Sequence, residues 1–211
     1  MQQSVERNYH HGDLRAALLI AARSIVEEQG AEAFTLREAA RRAGVSHGAP
    51  AHHFGDKTGL LTALAAQVVL ERVEQVEAAK LAAGSNPRDQ LKACGMAHID
   101  FLISHPHLEG LCRRDNLVNR SDPALQDLLQ RMTANLIETM SAFTGRALVP
   151  DKEENPSTLL AISVVEGFGK LVNESFILQN IPEHQRRAIA LAKADEMLEL
   201  VSFAFGVAHH E

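Results

Sequence analysis

The chain has no tryptophan, one tyrosine, and aromatic residues at only 4%. That leaves little of the material strands favour, while Ala, Leu, Glu and Arg abound, so the composition reads as all-α. The two cysteines, Cys94 and Cys112, cannot build a disulfide framework and offer no zinc-type cysteine pair. No apolar run approaches the ~20 residues that span a bilayer. The polar stretch from Met1 to Asp13 holds no signal-peptide core. A cytoplasmic helical protein with no membrane partner is expected.

What is present is ordinary for a globular chain: 45% hydrophobic and 23% charged residues over 211 positions. That excludes a disordered or fibrous protein and is enough for one large domain or two small ones. The formal net charge is -6, which taken whole argues against a nucleic-acid partner. By halves it reads differently. Residues 1–60 carry seven Lys or Arg and seven Asp or Glu, whereas residues 61–211 carry 14 and 20. The excess acid therefore lies in the second part, and nucleic-acid binding by the first would rest on a few placed residues rather than on a broad basic field.

Helix starts are legible. Asn86-Pro87, Asp122-Pro123 and Asn155-Pro156 each pair a capping oxygen with a proline at the first helical position, where its missing N–H costs nothing. With breaks at His105-Pro106 and Ile181-Pro182, helices are predicted at 87–104, 106–114, 123–146, 157–179 and 183–207. Residues 148–155 read as a polar loop. In the first part, Leu14, Ala17, Leu18, Ala21 and Ile25 share a helical face that Gly30 ends. Thr35 and Glu38 form a capping box for a short helix ending at Ala43. Gly44 breaks it, a second short helix is predicted from Ser46 to Phe54, and Asp56 caps a long helix from Lys57 to about Leu81.

Short helix, glycine-centred turn, short helix is a helix-turn-helix pattern. Ala39, Ala40 and Ala43 are small enough for a close helix crossing, Gly44 suits a left-handed turn, and Val45 and Phe54 anchor the second helix. A lone helix of that kind fits the major groove, ~12 Å wide. Spacing alone leaves an ordinary helix pair equally open. The run Thr35-Leu36-Arg37-Glu38-Ala39-Ala40-Arg41-Arg42-Ala43-Gly44-Val45-Ser46-His47-Gly48-Ala49, followed by His52-His53-Phe54-Gly55-Asp56-Lys57 and Leu60-Leu61, resembles the DNA-binding signature of the TetR family of bacterial transcription regulators. The resemblance spans about Asp13 to Leu64; beyond it, only length and helical layout are similar.

The resemblance implies a helix-turn-helix DNA-binding domain over 1–60 and a ligand-binding and dimerisation domain over 61–211. It implies that the second short helix is the recognition helix, with Ser46, His47, Gly48, Ala49, His52 and His53 at positions facing DNA. It implies a base contact for Arg37, whose fork suits guanine, and phosphate contacts for Thr35 and Lys57. Lys57 also sits at a helix N-terminus, where free amides already favour an anion. Two residues depart from the pattern. Ala51 stands where an aromatic that touches the backbone is usual, and Pro50 removes one amide early in the recognition helix, which shifts or shortens it. His10 and His11, before the first helix, read either as arm contacts to DNA or as solvated residues.

In the second part, the last two helices are apolar almost all round and need cover on more than one side. A homodimer through a four-helix bundle is expected, and the resemblance implies the same; Leu160, Val164, Val165, Phe168, Leu198, Val201 and Phe205 are the interface candidates. Gly167, Gly169 and Ser163 permit close helix approach or line a cavity. An apolar small-molecule effector is expected, with Met96, Ile99, Phe101, Leu102, Met132, Leu136, Met140, Phe143, Phe168 and Phe176 as candidate lining, although such stripes are more often plain core. Cys94 and His98 lie four apart on one helical face, with His105, His107 and Cys112 further on, but a turn at Pro106 separates them, so neither metal nor cofactor is expected. No nucleophile elbow, phosphate loop, zinc-helix motif or spaced carboxylate pair suggests an enzyme. The favoured reading is a dimeric regulator, a repressor released from double-stranded operator DNA by a small molecule. The alternative is a helical small-molecule or metal-binding protein with weakened DNA binding, which only Pro50 and Ala51 favour.

Overall fold

The computed structural model describes residues 11–148, 156–174 and 177–207. Among them the elements are all helical: α1 (His11–Gln29), a 3-10 turn (Ala31–Ala33), α2 (Leu36–Ala43), α3 (Ala49–Phe54), α4 (Lys57–Ala82), α5 (Pro87–Ser104), α6 (Pro106–Cys112), α7 (Pro123–Thr144), α8 (Pro156–Asn173) and α9 (Glu183–Val207). Packing divides the chain into two units, residues 1–68 with 107–125, and residues 69–106 with 126–211. The chain thus passes between units within α4, at the start of α6, and at the start of α7.

The caps foreseen at several starts are made. Asn86 accepts from the Arg88 amide at 2.9 Å, Asp122 from the Leu125 amide at 3.1 Å, and Asp56 from the Gly59 amide at 2.8 Å. Two boundaries differ from those predicted by more than two residues. The short second helix begins at Ala49 rather than Ser46, because Pro50 belongs in a first turn, where an absent N–H breaks no helical bond. The eighth helix ends at Asn173 rather than 179, where the Asn173 side-chain amide donates to the Leu102 carbonyl at 2.9 Å.

The first unit is built around Leu18, Ala22, Ile25 and Val26 of α1, Phe34, the Ala39-Ala40 pair of α2, and Leu60, Leu61 and Leu64 of α4, all with no exposed surface. Burying each large side chain of this kind contributes ~1.5–3 kcal/mol. The stretch from His107 to Leu125 belongs to this unit although its flanking helices do not. Leu108 and Leu111 are fully buried, Arg114 pairs with Glu32, and the Asn119 amide donates to the Thr62 hydroxyl at 2.9 Å.

The second unit packs α5 against α8 and α9. Ile99, Ala194 and Leu198 form its centre, with Met96, Ile103, Val165, Phe168, Leu191 and Met197 around them. Close approach depends on two glycines. A Cβ on Gly95 would lie 3.0 Å from Leu198, and one on Gly169 would lie 2.7 Å from Leu102. Gly169 is therefore one of the small α8 residues that allow close helix approach, while Gly167 has open space beside it.

Candidate nucleic-acid interface and ligand cavity

The α2–α3 pair forms as its residue types require. The Thr35 oxygen accepts from the Glu38 amide at 3.2 Å, which fixes the start of α2. That bond uses a lone pair and leaves the hydroxyl proton to donate outward, as a phosphate contact requires. The reciprocal half of the capping box is replaced by other bonds. The Glu38 carboxylate accepts from Arg41 at 2.6 and 2.7 Å and from Arg42 at 3.0 Å. Arg42 also donates to Ser24 at 2.9 Å and Glu28 at 2.8 Å, so it ties α2 to α1. Gly44 ends α2 with φ 68°, the left-handed conformation that favours glycine, and its amide bonds back into the helix.

The Arg41 and Arg42 hydrogen bonds lower the Glu38 carboxyl from its ordinary 4.5 to about 2. A carboxylate held below its unfolded value adds stability above that value and loses it as pH falls toward the folded one. A Glu38→Gln variant is expected to melt below the parent at pH 7, and the gap is expected to narrow as pH falls from about 4.5 toward 2. Parallel thermal melts at pH 7, 4 and 3 check this; a gap that stays constant contradicts it.

The residues marked for DNA contact occupy distinct positions. Thr35, Arg37, Ser46, His47, Gly48 and His52 are exposed, and His53 and Lys57 are half-buried. Ala49 and Pro50 are buried, so they lie on the packed side of α3. Ala51, which replaces the usual aromatic, is exposed. The His52 and His53 rings meet edge-on with centroids 5.2 Å apart, and His53 lies 6.5 Å from the Phe54 ring. Arg15 of α1 stands 5.2 Å over Phe54. Lys57 Nζ lies 6.0 Å from the Phe34 ring, a cation–π distance that steadies its stem while its charge stays at the start of α4. His10 lies outside the described residues, as do the side chain of His11 and residues 149–155 of the predicted loop.

A cavity of about 390 Å³ lies within the second unit, walled by α4, α5, α7, α8 and α9. Of the residues nominated for effector contact, Met132 and Leu136 line it. Met96, Ile99 and Phe168 instead belong to the α5–α8–α9 core. Phe101 is buried beside the His105 ring, 4.9 Å away, Leu102 is buried against Gly169, Met140 is fully buried, and Phe143 is half-buried. Phe176 lies outside the described residues.

Four residues nominated for the dimer interface, Val164, Val165, Leu198 and Val201, line this cavity. Phe168 is in the core, and Leu160 is 47% exposed. The Phe205 side chain lies outside the described residues. The apolar surface of α8 and α9 is carried by Leu159, Leu160, Ile162, Leu171, Leu200 and Phe203.

Sequence reasoning did not assign the polar lining. His98 Nε2 lies 3.2 Å from Glu166 Oε1, which joins α5 to α8 at the cavity wall. Cys94 lines the same wall one turn before His98, and burial pushes its thiol up from its ordinary value despite a hydrogen bond with Thr139. Their i, i+4 spacing was the visible signal; Glu166, far away in sequence, supplies the partner. Among the described residues no three His, Cys, Asp or Glu side chains are placed to hold a metal ion. None of the described helices is long and apolar enough to cross a membrane.

A capped α2, a glycine turn and a short exposed α3 define a helix-turn-helix protein of the DNA-binding class. The sequence model described as bacterial regulatory proteins, tetR family, matches residues 18–64. The chain is 42% identical over 79 residues to the HTH-type transcriptional regulator BetI of Stenotrophomonas maltophilia, which covers 37% of this chain and 40% of that one. It is 36% identical over 154 residues to BetI of Burkholderia cenocepacia strain HI2424, covering 72% of this chain and 78% of that one. A solved protein of unknown function from Rhodococcus sp. RHA1 superposes with TM-score 0.69 at 28% identity, over 95% of this chain and 97% of the other. The chain belongs to the tetR family of bacterial regulatory proteins.

Proposed function

We propose that this chain is a dimeric repressor that leaves its operator when a small apolar molecule enters the second unit. The observation that carries this reading is the pairing, in one chain, of an exposed helix-turn-helix surface with a separate apolar cavity of about 390 Å³. Residues 1–60 would read DNA and 61–211 would sense and pair. Arg37 would contact a base, Thr35 and Lys57 would hold phosphates, and Ser46, His47, Gly48 and His52 would face the groove. No catalytic step is assigned to it.

The exposed Leu160 and Leu171 of α8 and Leu200 and Phe203 of α9 support dimerisation, since large apolar side chains left in water call for cover. Two recognition helices must enter successive major grooves, ~34–36 Å apart. An effector that binds better to another spacing draws the dimer off DNA by its difference in affinity. The covalent routes for that coupling are the three places where the chain passes between units, and the segment just after α6 is held within the first unit by Arg114–Glu32.

Operator binding tests the reading. Against the region upstream of its own gene, the protein is expected to give a discrete gel shift. Arg37→Ala should weaken binding by about 1–3 kcal/mol at one base position and relax preference there. Lys57→Ala should weaken all sequences alike and reduce the salt slope by about 1. Equal loss on every sequence for Arg37→Ala, or no shift at low salt, overturns the assignment.

A further inference from the structure

Taking the cavity as the effector site, we infer that it selects an uncharged molecule with an apolar body and a hydroxyl head that docks at the His98–Glu166 pair. The inference rests on the reading above and narrows the class of effector.

The charges come first. Among the described residues, the charged ones lining the cavity are Lys92 and Glu166, with His98 beside the latter. Lys92 Nζ is held at 2.9 Å by Asp195 and at 3.3 Å by Glu199, and these carboxylates raise its pKa. An incoming anion would have to draw Lys92 from two carboxylates and would meet Glu166 on the same wall. An incoming cation would have to draw Glu166 away from the partners it already holds, His98 among them, and no Phe, Tyr or Trp is among the described residues that line the cavity. Burying an unmatched charge is far more costly than burying a neutral group.

The hydrogen-bonding groups then choose among neutral heads. The Thr133 hydroxyl donates to the Leu129 carbonyl at 3.0 Å and Ser202 to the Glu199 carbonyl at 2.9 Å. With their protons turned into their own helices, these hydroxyls present acceptor lone pairs to the cavity. Glu166 is a stronger acceptor, and its Oε1 is fixed in place by His98. A ligand hydroxyl supplies the proton such a wall accepts, and an ether or a bare hydrocarbon does not. The rest of the wall, including Val73, Leu136, Ile162, Val165 and Leu198, suits an aliphatic or alicyclic body.

A matched octyl series separates head from body. Purified full-length protein bound to its operator is titrated with 1-octanol, octanoate, octyltrimethylammonium and octyl methyl ether. Thermal shift and operator release are followed together. 1-Octanol is expected to stabilise the protein and release DNA at concentrations at least about tenfold below the other three, since a site built to pair a hydroxyl rejects analogues that lack it. Glu166→Gln is expected to shrink the preference for alcohol over ether, and the cavity-filling Ala161→Phe to remove the response to all four. Octanoate or octyltrimethylammonium acting at or below the alcohol's concentration overturns the inference. So does an alcohol response that survives Ala161→Phe, or failure of all four ligands to shift the melt. Failure to bind any operator before ligand is added is a different result, and it overturns the regulator reading instead.

Discussion

Gly59→Ala is expected to destabilise the first unit by about 3 kcal/mol or more and to abolish operator binding. The physical reason is local. A Cβ built on Gly59 would lie 2.0 Å from the Phe54 carbonyl oxygen and 3.1 Å from its carbon. That carbonyl is held in place because it accepts from the Asp56 amide at 3.0 Å, and the Gly59 amide is itself held by the Asp56 side chain at 2.8 Å. Both sides of the contact are backbone, so no rotamer change relieves it. The corner between α3 and α4 must open, and α3 carries the surface proposed to face DNA. Gly48→Ala is the matched control. Its backbone has φ -82°, and an added Cβ meets nothing within 4 Å. Its stability should stay within about 0.5 kcal/mol of the parent. Thermal melts of the two variants, with a gel shift of Gly59→Ala against the parent, check the pair; equal stability of both contradicts the structure of this corner.

A Leu200→Glu, Phe203→Glu double variant is expected to break the dimer and lower operator affinity by about 10²–10⁴-fold, the gain that linking two half-site contacts provides. Leu200 is 70% exposed and Phe203 63%, so neither is needed inside its own chain. Charge added there leaves the fold intact while opposing apposition of two apolar surfaces. Light scattering should report a mass near that of one 23.0 kDa chain, with a melting curve of retained cooperativity. A dimer that survives the double change places the interface elsewhere.

Much of the fold is legible from local chemistry. Asn86, Asp122, Thr35 and Asp56 announce helix starts because a capping bond lies within three residues of its donor. Gly44 announces the helix-turn-helix turn because left-handed backbone is a property of one residue. Pro50 signalled a displaced recognition helix for the same reason, and the start at Ala49 follows. The end of α8 was less legible. After Glu174 and Ser175, Phe176 and Ile177 resume the apolar spacing, so periodicity continues past the point where backbone and side-chain bonds end the helix.

The candidate ligand site divides along the same line. Phe and Met stripes identify residues that leave water, but burial in a core and burial around a cavity have the same periodicity. Ile99 and Phe168 went to the core, Met132 and Leu136 to the cavity, and only the packing of α5 against α8 and α9 separates them. Val164, Val165, Leu198 and Val201 read as interface positions and line the cavity for the same reason.

The composition poor in aromatics, the caps, the glycine turn and the neutral first sixty residues determined an all-helical chain with a helix-turn-helix near its start. Those properties are set by single residues or by neighbours within one helical turn. The tertiary structure alone decided that Glu166 meets His98 across 68 positions, that Lys92 is occupied by α9 carboxylates, and that His107 to Leu125 packs in the unit that holds the helix-turn-helix. Each is a contact between residues remote in sequence, and no local periodicity encodes which helix a side chain will meet.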